Sequence, residues 1–291
     1  MATKKAVKKK VPVVAVLNMK GGVGKTTISA HVLPALAQKF GQKVVLVDFD
    51  PQFNLTQSLV SQTRYERLKA QNQTVLSVME RTPNVSLFEV VDADSPPPAL
   101  TNVSIPLRQS VRLIPGDFGL VKYSLIDDKA TLKPVKERFR SFIANATKES
   151  DVVCIDCNPS SSFMTLCALE VASHIVVPVK PDRFSVLGLE LLDQFIADVD
   201  TLAKKPKLLI VLNGIPKSNY DPTVENQLRA HPRFAQKTLS TRLHLSSLLA
   251  ASATYTGFAS DKPVPNRHRV SANIEQLAQE IGIELGLLKE Q

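Results

Sequence analysis

The sequence predicts an α/β protein built on a doubly wound, mostly parallel β-sheet with helices on both faces. Apolar runs rich in β-branched residues are nearly continuous, as strands covered on both faces require. Segments with helical spacing separate them, which implies right-handed crossovers. The predicted strands are Val11–Leu17, Lys43–Asp48, Val111–Pro115, Asp151–Asp156, His174–Val179 and Lys207–Asn213. The predicted helices are Thr26–Lys39, Leu132–Thr147, Ser185–Leu202 and, at the end, Ser271–Leu288.

A single domain is expected over residues 11–291, after a basic leader at residues 1–10. The leader holds five lysines and no acid, and therefore more than half of the formal net charge of +9. It is interpreted either as a solvated, disordered leader or as a nonspecific anchor for nucleic acid or acidic lipid. Residues 63–110, with a Pro-rich stretch at Ser95–Pro98, do not follow the alternation of strands and helices and are predicted to form an irregular insertion.

Composition favours a cytoplasmic protein. No apolar run approaches the roughly 18 residues of a membrane span, and three cysteines cannot build a disulfide framework. Cys154 and Cys157 lie three apart on a predicted strand and so point to opposite faces, which excludes a shared metal ion. Together with Cys167 they are expected to be ordinary packing or loop thiols.

The strongest motif is the run Asn-Met-Lys-Gly-Gly-Val-Gly-Lys-Thr-Thr at residues 18–27, between a predicted buried strand and a helix. Glycines 21, 22 and 24 let backbone N–H groups approach phosphates, and the helix start adds its positive dipole end. Lys25 is placed to reach the β- and γ-phosphates, and the Thr26 hydroxyl to bind Mg²⁺. The motif therefore predicts a phosphate loop that holds ATP and Mg²⁺.

One difference from the standard phosphate loop indicates which class of ATPase this sequence resembles. Met19 stands where its first glycine would be, and Lys20 precedes the glycine pair. This form resembles the deviant Walker A loop of the ParA/MinD family of P-loop ATPases. The resemblance implies an ATP-closed homodimer in which Lys20 acts catalytically on the partner's nucleotide, together with Lys25. The implied nucleotide contacts are Lys20, Gly21, Gly22, Val23, Gly24, Lys25, Thr26 and Thr27. A solvated lysine at the loop mouth is the alternative for Lys20.

Acidic residues complete the expected site. The stretch Asp48-Phe49-Asp50-Pro51-Gln52 resembles the Asp-x-Asp-Pro-Gln motif of the ParA group. By that resemblance Asp50 orients or activates the attacking water, and Asp48 supports the Mg²⁺ shell; alternatively both acids cap the helix around Asn54. Asp156 ends an apolar strand in the Walker B manner and is expected to bind Mg²⁺ through water.

Later segments resemble the same family less specifically. Residues 208–217 are similar to the strand whose end contacts the adenine, which makes Asn213 and Pro216 candidate base contacts. Residues 261–269 are expected to be a polar, basic loop. Arg242, Arg267 and Arg269 are candidate DNA-phosphate contacts; ordinary surface charges are the alternative.

The resemblance implies a ParA-like ATPase switch that partitions or positions a cargo. The ATP-bound homodimer would bind DNA nonspecifically at the nucleoid, until a ParB-like protein or cargo adaptor stimulates hydrolysis. A MinD-like membrane-associated ATPase is one alternative. Residues 273–291 carry four glutamates against one lysine, which argues against an anionic bilayer as the C-terminal target. A metabolic enzyme that uses the same loop is the other alternative.

Overall fold

A computed structural model describes residues 10–81, 86, 89–160, 162–250, 256–265 and 267–290. Its centre is one eight-stranded sheet in the order β3-β4-β2-β5-β1-β6-β7-β8. Neighbouring strands are parallel, except that β3 and β4 are antiparallel. The predicted fold class is confirmed. The strands are β1 Val13–Val16, β2 Val44–Phe49, β3 Ile105–Arg108, β4 Val111–Ile114, β5 Val152–Cys157, β6 His174–Val179, β7 Lys207–Ile215 and β8 Leu243–His244.

Helices cover both faces of the sheet. The α-helices are α1 Lys25–Thr27, α2 Ala35–Phe40, α3 Asn54–Leu59, α4 Gln62–Ala70, α5 Leu76–Met79, α6 Leu100–Val103, α7 Lys122–Leu125, α8 Lys129–Glu149, α9 Phe163–Val171, α10 Ser185–Asp198, α11 Thr223–Ala230 and α12 Arg267–Glu284. A π-helix occupies Ile28–Val32, and 3₁₀ helices occupy Phe118–Val121, Ala235–Lys237, Ser247–Leu249 and Ala259–Asp261.

The central strands bury both of their faces, as their continuous apolar runs predict. On β1, Ala15 packs into the core on one side of the sheet, and Val14 and Val16 pack into the core on the other. The cysteines follow the same alternation, since Cys154 and Cys157 of β5 lie in opposite cores. Both thiols are free and buried, as is that of Cys167, which confirms the prediction of packing thiols.

The predicted helix Thr26–Lys39 is wrong in its continuity. Pro34 has no N–H to donate and its ring crowds the preceding turn, which disfavours regular α-helical hydrogen bonding at this point. The helix widens into a π-helix instead, in which the N–H of Leu33 donates to the carbonyl of Ile28, five residues earlier, at 3.1 Å. The π-helix therefore lies directly after the phosphate loop.

Residues 63–110 contain more regular structure than the sequence indicates. Helix α4 crosses the start of the segment, and β3 adds an edge strand in which Pro106 is tolerated because it faces no further strand. A fully buried ion pair joins the segment to α7, with Lys122 Nζ 3.0 Å from Glu80 Oε1. The Tyr123 hydroxyl donates to the same carboxylate.

The C-terminal helix also differs from its prediction. It begins at Arg267 rather than at Ser271, so Arg267 and Arg269 belong to its first turn and not to the predicted basic loop. Among the described residues, no helix is both long and apolar enough to cross a bilayer.

Candidate nucleotide-binding site

The fold brings the predicted site residues to one edge of the sheet. Strand β1 lies between β5 and β6, and β2 pairs with the other side of β5. The connection that follows β1 leads to β2 on one side of the sheet, and the connection that follows the neighbouring β5 leads to β6 on the other side. The ends of β1 and β5 are therefore the switch point where open α/β sheets bind ligands. The phosphate loop follows β1, Asp50 follows β2, and Asp156 lies near the end of β5.

Glycines shape the loop. Gly22 has φ 71° and Gly24 has φ 94°, a region of backbone conformation that side chains with a Cβ rarely adopt. A Cβ on Gly24 would lie only 2.0 Å from Asn213 Nδ2, whereas one on Gly21 or Gly22 would meet nothing within 4 Å. Gly24 thus packs against the protein, while Gly21 and Gly22 border the open space in which a phosphate would lie.

Asn213 supports the loop from behind. Its amide Nδ2 donates to the carbonyl of Val23 at 2.7 Å, and the residue is buried. Neither Asn213 nor the exposed Pro216 is among the residues that line the main cavity. Asn213 thus makes a positioning contact with the loop, and Pro216 lies outside the lining of this cavity. The base contacts of both residues stay predictions.

Lys25 lies under the loop. Its ammonium donates to the carbonyls of Asn18 and Lys20, at 3.1 and 3.2 Å. Burial lowers the pKa of Lys25, and the nearby carboxylates of Asp156 and Asp50 act in the opposite direction. The ammonium therefore lies beneath the exposed glycine amides, satisfied by main-chain oxygens.

The side chains expected near the metal are already paired. The hydroxyl of Thr26 donates to Asp156 Oδ2 at 3.0 Å, and that of Ser29 donates to Asp156 Oδ1 at 2.8 Å. Burial raises the pKa of Asp156 to about 6. Across the described residues, no group of three or more His, Cys, Asp or Glu side chains could hold a metal ion. The donor set suits a Mg²⁺ ion that takes few protein ligands and completes its shell with phosphates and water.

Asp50 and Asp48 separate into different environments. Asp50 lines the cavity, and its Oδ1 accepts the N–H of Gln52 at 2.9 Å. Burial raises the pKa of Asp50. Asp50 therefore presents a carboxylate at the place where the phosphate loop opens.

Asp48 has no exposed surface and does not line the cavity. Its Oδ2 accepts from the N–H and hydroxyl of Thr56, at 2.7 and 2.6 Å. Burial raises the pKa of Asp48 to about 8. This contact fits the helix-capping alternative for Asp48, because Thr56 lies in the first turn of α3, while Asp48 Oδ1 has no partner among the described residues. The Mg²⁺ role of Asp48 stays a prediction.

The main cavity has a volume of about 760 Å³, which is within the usual range for a cofactor pocket. The phosphate-loop residues Gly21, Gly22, Gly24, Lys25, Thr26 and Thr27 line it. His31, Leu249 and Lys262 also line it. Sequence reasoning misses these three because none belongs to a motif. His31 lies in the π-helix after the phosphate loop, whereas Leu249 and Lys262 are brought to the loop only by the fold.

The sequence comparisons agree with this geometry. The model of a family described as AAA domain (AAA_31) matches residues 11–210. The chain is 30% identical over 209 residues to the sporulation initiation inhibitor protein Soj of Bacillus subtilis, a match that covers 70% of each protein. It is 29% identical over 189 residues to a ParA family protein of Chlamydia muridarum, over 65% of this chain and 66% of that one. This chain belongs to the ParA/MinD family of ATPases.

Solved structures share the fold of this family member. McdA from Cyanothece in complex with ATP superposes with a TM-score of 0.70 at 15% identity, over 98% of this chain and 99% of that one. Cobyrinic acid a,c-diamide synthase from Mycobacterium smegmatis, with an ATP analogue and magnesium, gives 0.68 at 22% identity, over 92% of each chain. Several curated relatives are longer: the match spans 45% of one from Rhizobium rhizogenes.

The predicted DNA contacts of this ParA/MinD-family chain lie in two settings. Arg242 pairs with Glu225, its Nη2 2.9 Å from Oε1, and it shares that carboxylate with Arg229. Arg267 and Arg269 are exposed on the first turn of α12. Arg269 also borders a cleft of about 320 Å³ with Lys217 and His244. Two of the three candidate arginines are therefore exposed at the start of α12.

Proposed function

We propose that this chain is a ParA-like switch that binds ATP with Mg²⁺, hydrolyses it, and couples that cycle to the positioning of a cargo. One observation carries the proposal: a single cavity is bordered by Gly21 and Gly22, by Thr26 and by Asp50. These are the groups that phosphoryl transfer to water requires in one place, namely phosphate donors, a metal ligand and a carboxylate for the water.

Each group in the cavity has a defined part in this proposal. The glycine amides and Lys25 bind the β- and γ-phosphates, and Thr26 with Asp156 holds Mg²⁺. The ion, when bound, neutralises charge that develops on the phosphates. Asp50 orients the attacking water; because burial raises its pKa, it is a better proton acceptor than an ordinary exposed carboxylate.

Dimerisation and DNA binding form the second half of the proposal. Lys20 directly precedes the glycines that line the cavity, and its side chain is about two-fifths exposed. In this proposal a second copy of the chain approaches on the side of Lys20. The ATP-bound dimer binds DNA without sequence preference through Arg267 and Arg269, with Arg242 available only after Glu225 releases it. A ParB-like protein or cargo adaptor then stimulates hydrolysis, and the protein cycles on and off the nucleoid in the cytoplasm.

The test compares the wild type with Asp50→Ala and, as a matched control, with Asp221→Ala. Asp221 is an exposed acid that precedes α11, accepts the N–H of Thr223 and does not line the cavity. We expect Asp50→Ala to abolish phosphate release but to retain ATP binding, ATP-dependent DNA binding and nucleoid association, while Asp221→Ala behaves as the wild type. DNA affinity should fall steeply with added salt. Phosphate release by Asp50→Ala at the wild-type rate, or DNA binding that is independent of ATP, would contradict the proposal.

The fold shared with cobyrinic acid a,c-diamide synthase supports one other candidate, an enzyme that uses ATP to activate a small carboxylate. The two functions differ in their products. A switch forms only ADP and phosphate from ATP and water, whereas a ligase needs an acid and an amine acceptor before it turns over. Turnover of purified protein without any added acceptor therefore separates them. Cosedimentation with anionic liposomes tests the MinD-like alternative, for which we expect no ATP-dependent binding.

A further inference from the structure

One wall of the main cavity is a short piece of the C-terminal part of the chain. Gly257 and Lys262 line the cavity, and the residues between them include one turn of 3₁₀ helix, Ala259–Asp261. We call residues 257–262 the wall segment. A nucleotide whose phosphates lie in the phosphate loop has to place its ribose and base against the remaining lining, to which the wall segment belongs.

The backbone of the wall segment is bonded to two elements that also border the cavity. The N–H of Gly257 donates to the carbonyl of Ser58 in α3 at 2.8 Å. The N–H of Ala259 donates to Nδ1 of His31, in the π-helix after the phosphate loop, at 3.3 Å. Because Ser58 and His31 line the cavity as well, a shift of the wall segment changes the shape of the space that a ligand would fill.

A single side chain from a distant part of the sequence contacts the wall segment at three of its six residues. This is Arg108, the last residue of the edge strand β3, and it does not itself line the cavity. Its guanidinium carbon lies 4.1 Å from the centroid of the Phe258 ring. Its Nη2 forms an ion pair with Asp261 Oδ2 and lies 3.4 Å from the hydroxyl of Ser260.

Burial determines which of these contacts matters most. The Phe258 ring is 6% exposed and belongs to the same buried cluster as Ile105 of β3, and the Arg108 side chain is 23% exposed. A cation over an aromatic ring is held more strongly when both are shielded from water. The Asp261 side chain is 51% exposed, so solvent screens its ion pair. The ring contact therefore contributes the larger share of the attachment.

From these contacts we infer that Arg108 is a positioning residue for the nucleotide, which holds the wall segment against the part of the ligand beyond the phosphates. The inference rests on the proposed function, in which this cavity binds ATP. Arg108 acts on affinity and not on the chemical step, because Thr26 and Asp50 have contacts of their own that do not involve the wall segment. The edge strand β3 thereby gains a part in ligand binding, although it lies outside every nucleotide-binding motif.

The test measures the binding of ADP with Mg²⁺ to the wild type and to Arg108→Ala by isothermal titration calorimetry. ADP reports on the cavity of one subunit, whereas ATP also closes the dimer in the proposed function. Removal of a cation–π contact and a screened ion pair changes an equilibrium by about three- to tenfold. We expect Arg108→Ala to weaken ADP binding and to raise the KM for ATP by about that factor, while kcat stays within about twofold of the wild type.

Two further variants isolate the contact. Arg64→Ala is the matched control, because Arg64 donates to the carbonyl of Pro106 in the same edge strand at 3.3 Å but, among the described residues, forms no hydrogen bond or ion pair with the wall segment. Its ADP affinity should equal that of the wild type. Arg108→Lys keeps a cation near the Phe258 ring but lacks the planar guanidinium, so it should recover part of the lost affinity. Thermal unfolding above the assay temperature verifies that all three variants are folded.

The outcomes separate the inference from the function on which it rests. A wild type that binds neither ADP nor ATP contradicts the proposed function, and the inference fails with it. If the wild type binds ADP and Arg108→Ala binds it equally well, only the inference is overturned. A lower kcat with an unchanged KM overturns it too, since the effect then lies at the reacting groups. An equal loss of affinity in Arg64→Ala does the same, because a general disturbance of the edge strand would then be the cause.

Discussion

Replacement of Gly24 by alanine tests the structural explanation of the phosphate loop. At φ 94° an alanine is strained by about 1–2 kcal/mol. Its Cβ would also lie 2.0 Å from Asn213 Nδ2, so the amide must move and release the carbonyl of Val23. Loss of that buried hydrogen bond removes about 1 kcal/mol more. We expect the free energy of unfolding to fall by roughly 2–3 kcal/mol in the absence of nucleotide.

The measurement is thermal unfolding of the nucleotide-free protein. Unfolding entropies of about 2.1 cal/mol/K per residue imply that a loss of this size lowers the midpoint of the 291-residue chain by about 4 °C. Gly21→Ala is the matched control, because its Cβ meets nothing within 4 Å. We expect its unfolding free energy to stay within about 1 kcal/mol of the wild type. The same Gly24→Ala variant should lose ATP affinity, since the loop amides shift.

A second substitution separates the clash from the backbone strain. Asn213→Ala removes the atom that blocks the Cβ and also the hydrogen bond to Val23, so the loss caused by Gly24→Ala should be smaller in that background, by about 1 kcal/mol. Only the strain at φ 94° would remain. Equal losses in the two backgrounds, or a Gly24→Ala variant as stable as Gly21→Ala, would refute the role given to Asn213.

Two further predictions concern buried groups outside the phosphate loop. Burial lowers the pKa of His31 from an ordinary 6.5 to about 4. Between these values the unfolded chain binds a proton at His31 and the folded chain does not. The free energy of unfolding therefore falls as the pH is lowered from 6.5 toward 4, by up to about 3 kcal/mol. His31→Gln should flatten that slope in urea unfolding between pH 7 and 5, and an unchanged slope would contradict the assignment. Lys122→Met leaves the fully buried Glu80 without its cation and should destabilise by about 3–5 kcal/mol. The double variant with Glu80→Gln should recover much of that loss, and additive losses would contradict the pairing.

The sequence is sufficient to predict the fold class and the location of the site, because both depend on long local patterns. The run at residues 18–27 carries its own structural context, and the six predicted strands all appear. Two strands were missed for a physical reason. Strands β3 and β8 are four and two residues long and lie at the sheet edges, where pairing needs no continuous apolar run.

The sequence does not predict that Asp48 and Asp50 lie in different environments. The two acids are separated by one residue, and a motif treats them as a unit. In the fold, Asp48 pairs in register with Asp156 of the neighbouring strand, and the α3 residue Thr56 covers it. Asp50, two residues later, has left the sheet and lines the cavity. Which acid meets the ligand is decided by the residue at which the strand ends.

The site groups that would bind phosphate or metal already have protein partners. Lys25 donates to loop carbonyls, Thr26 donates to Asp156, and Lys20 contacts Asp182. These partners hold each group near its working position, so less reorganisation is needed when charge develops during a reaction. They also have to be replaced on binding, which weakens affinity for a ligand that satisfies only some of them. Under the proposed function, Mg²⁺ with a triphosphate would replace the partners of Lys25 and Thr26 together, and a second subunit's nucleotide would replace that of Lys20. The proposed function therefore predicts that the complete ligand in a dimer is favoured over any part of it.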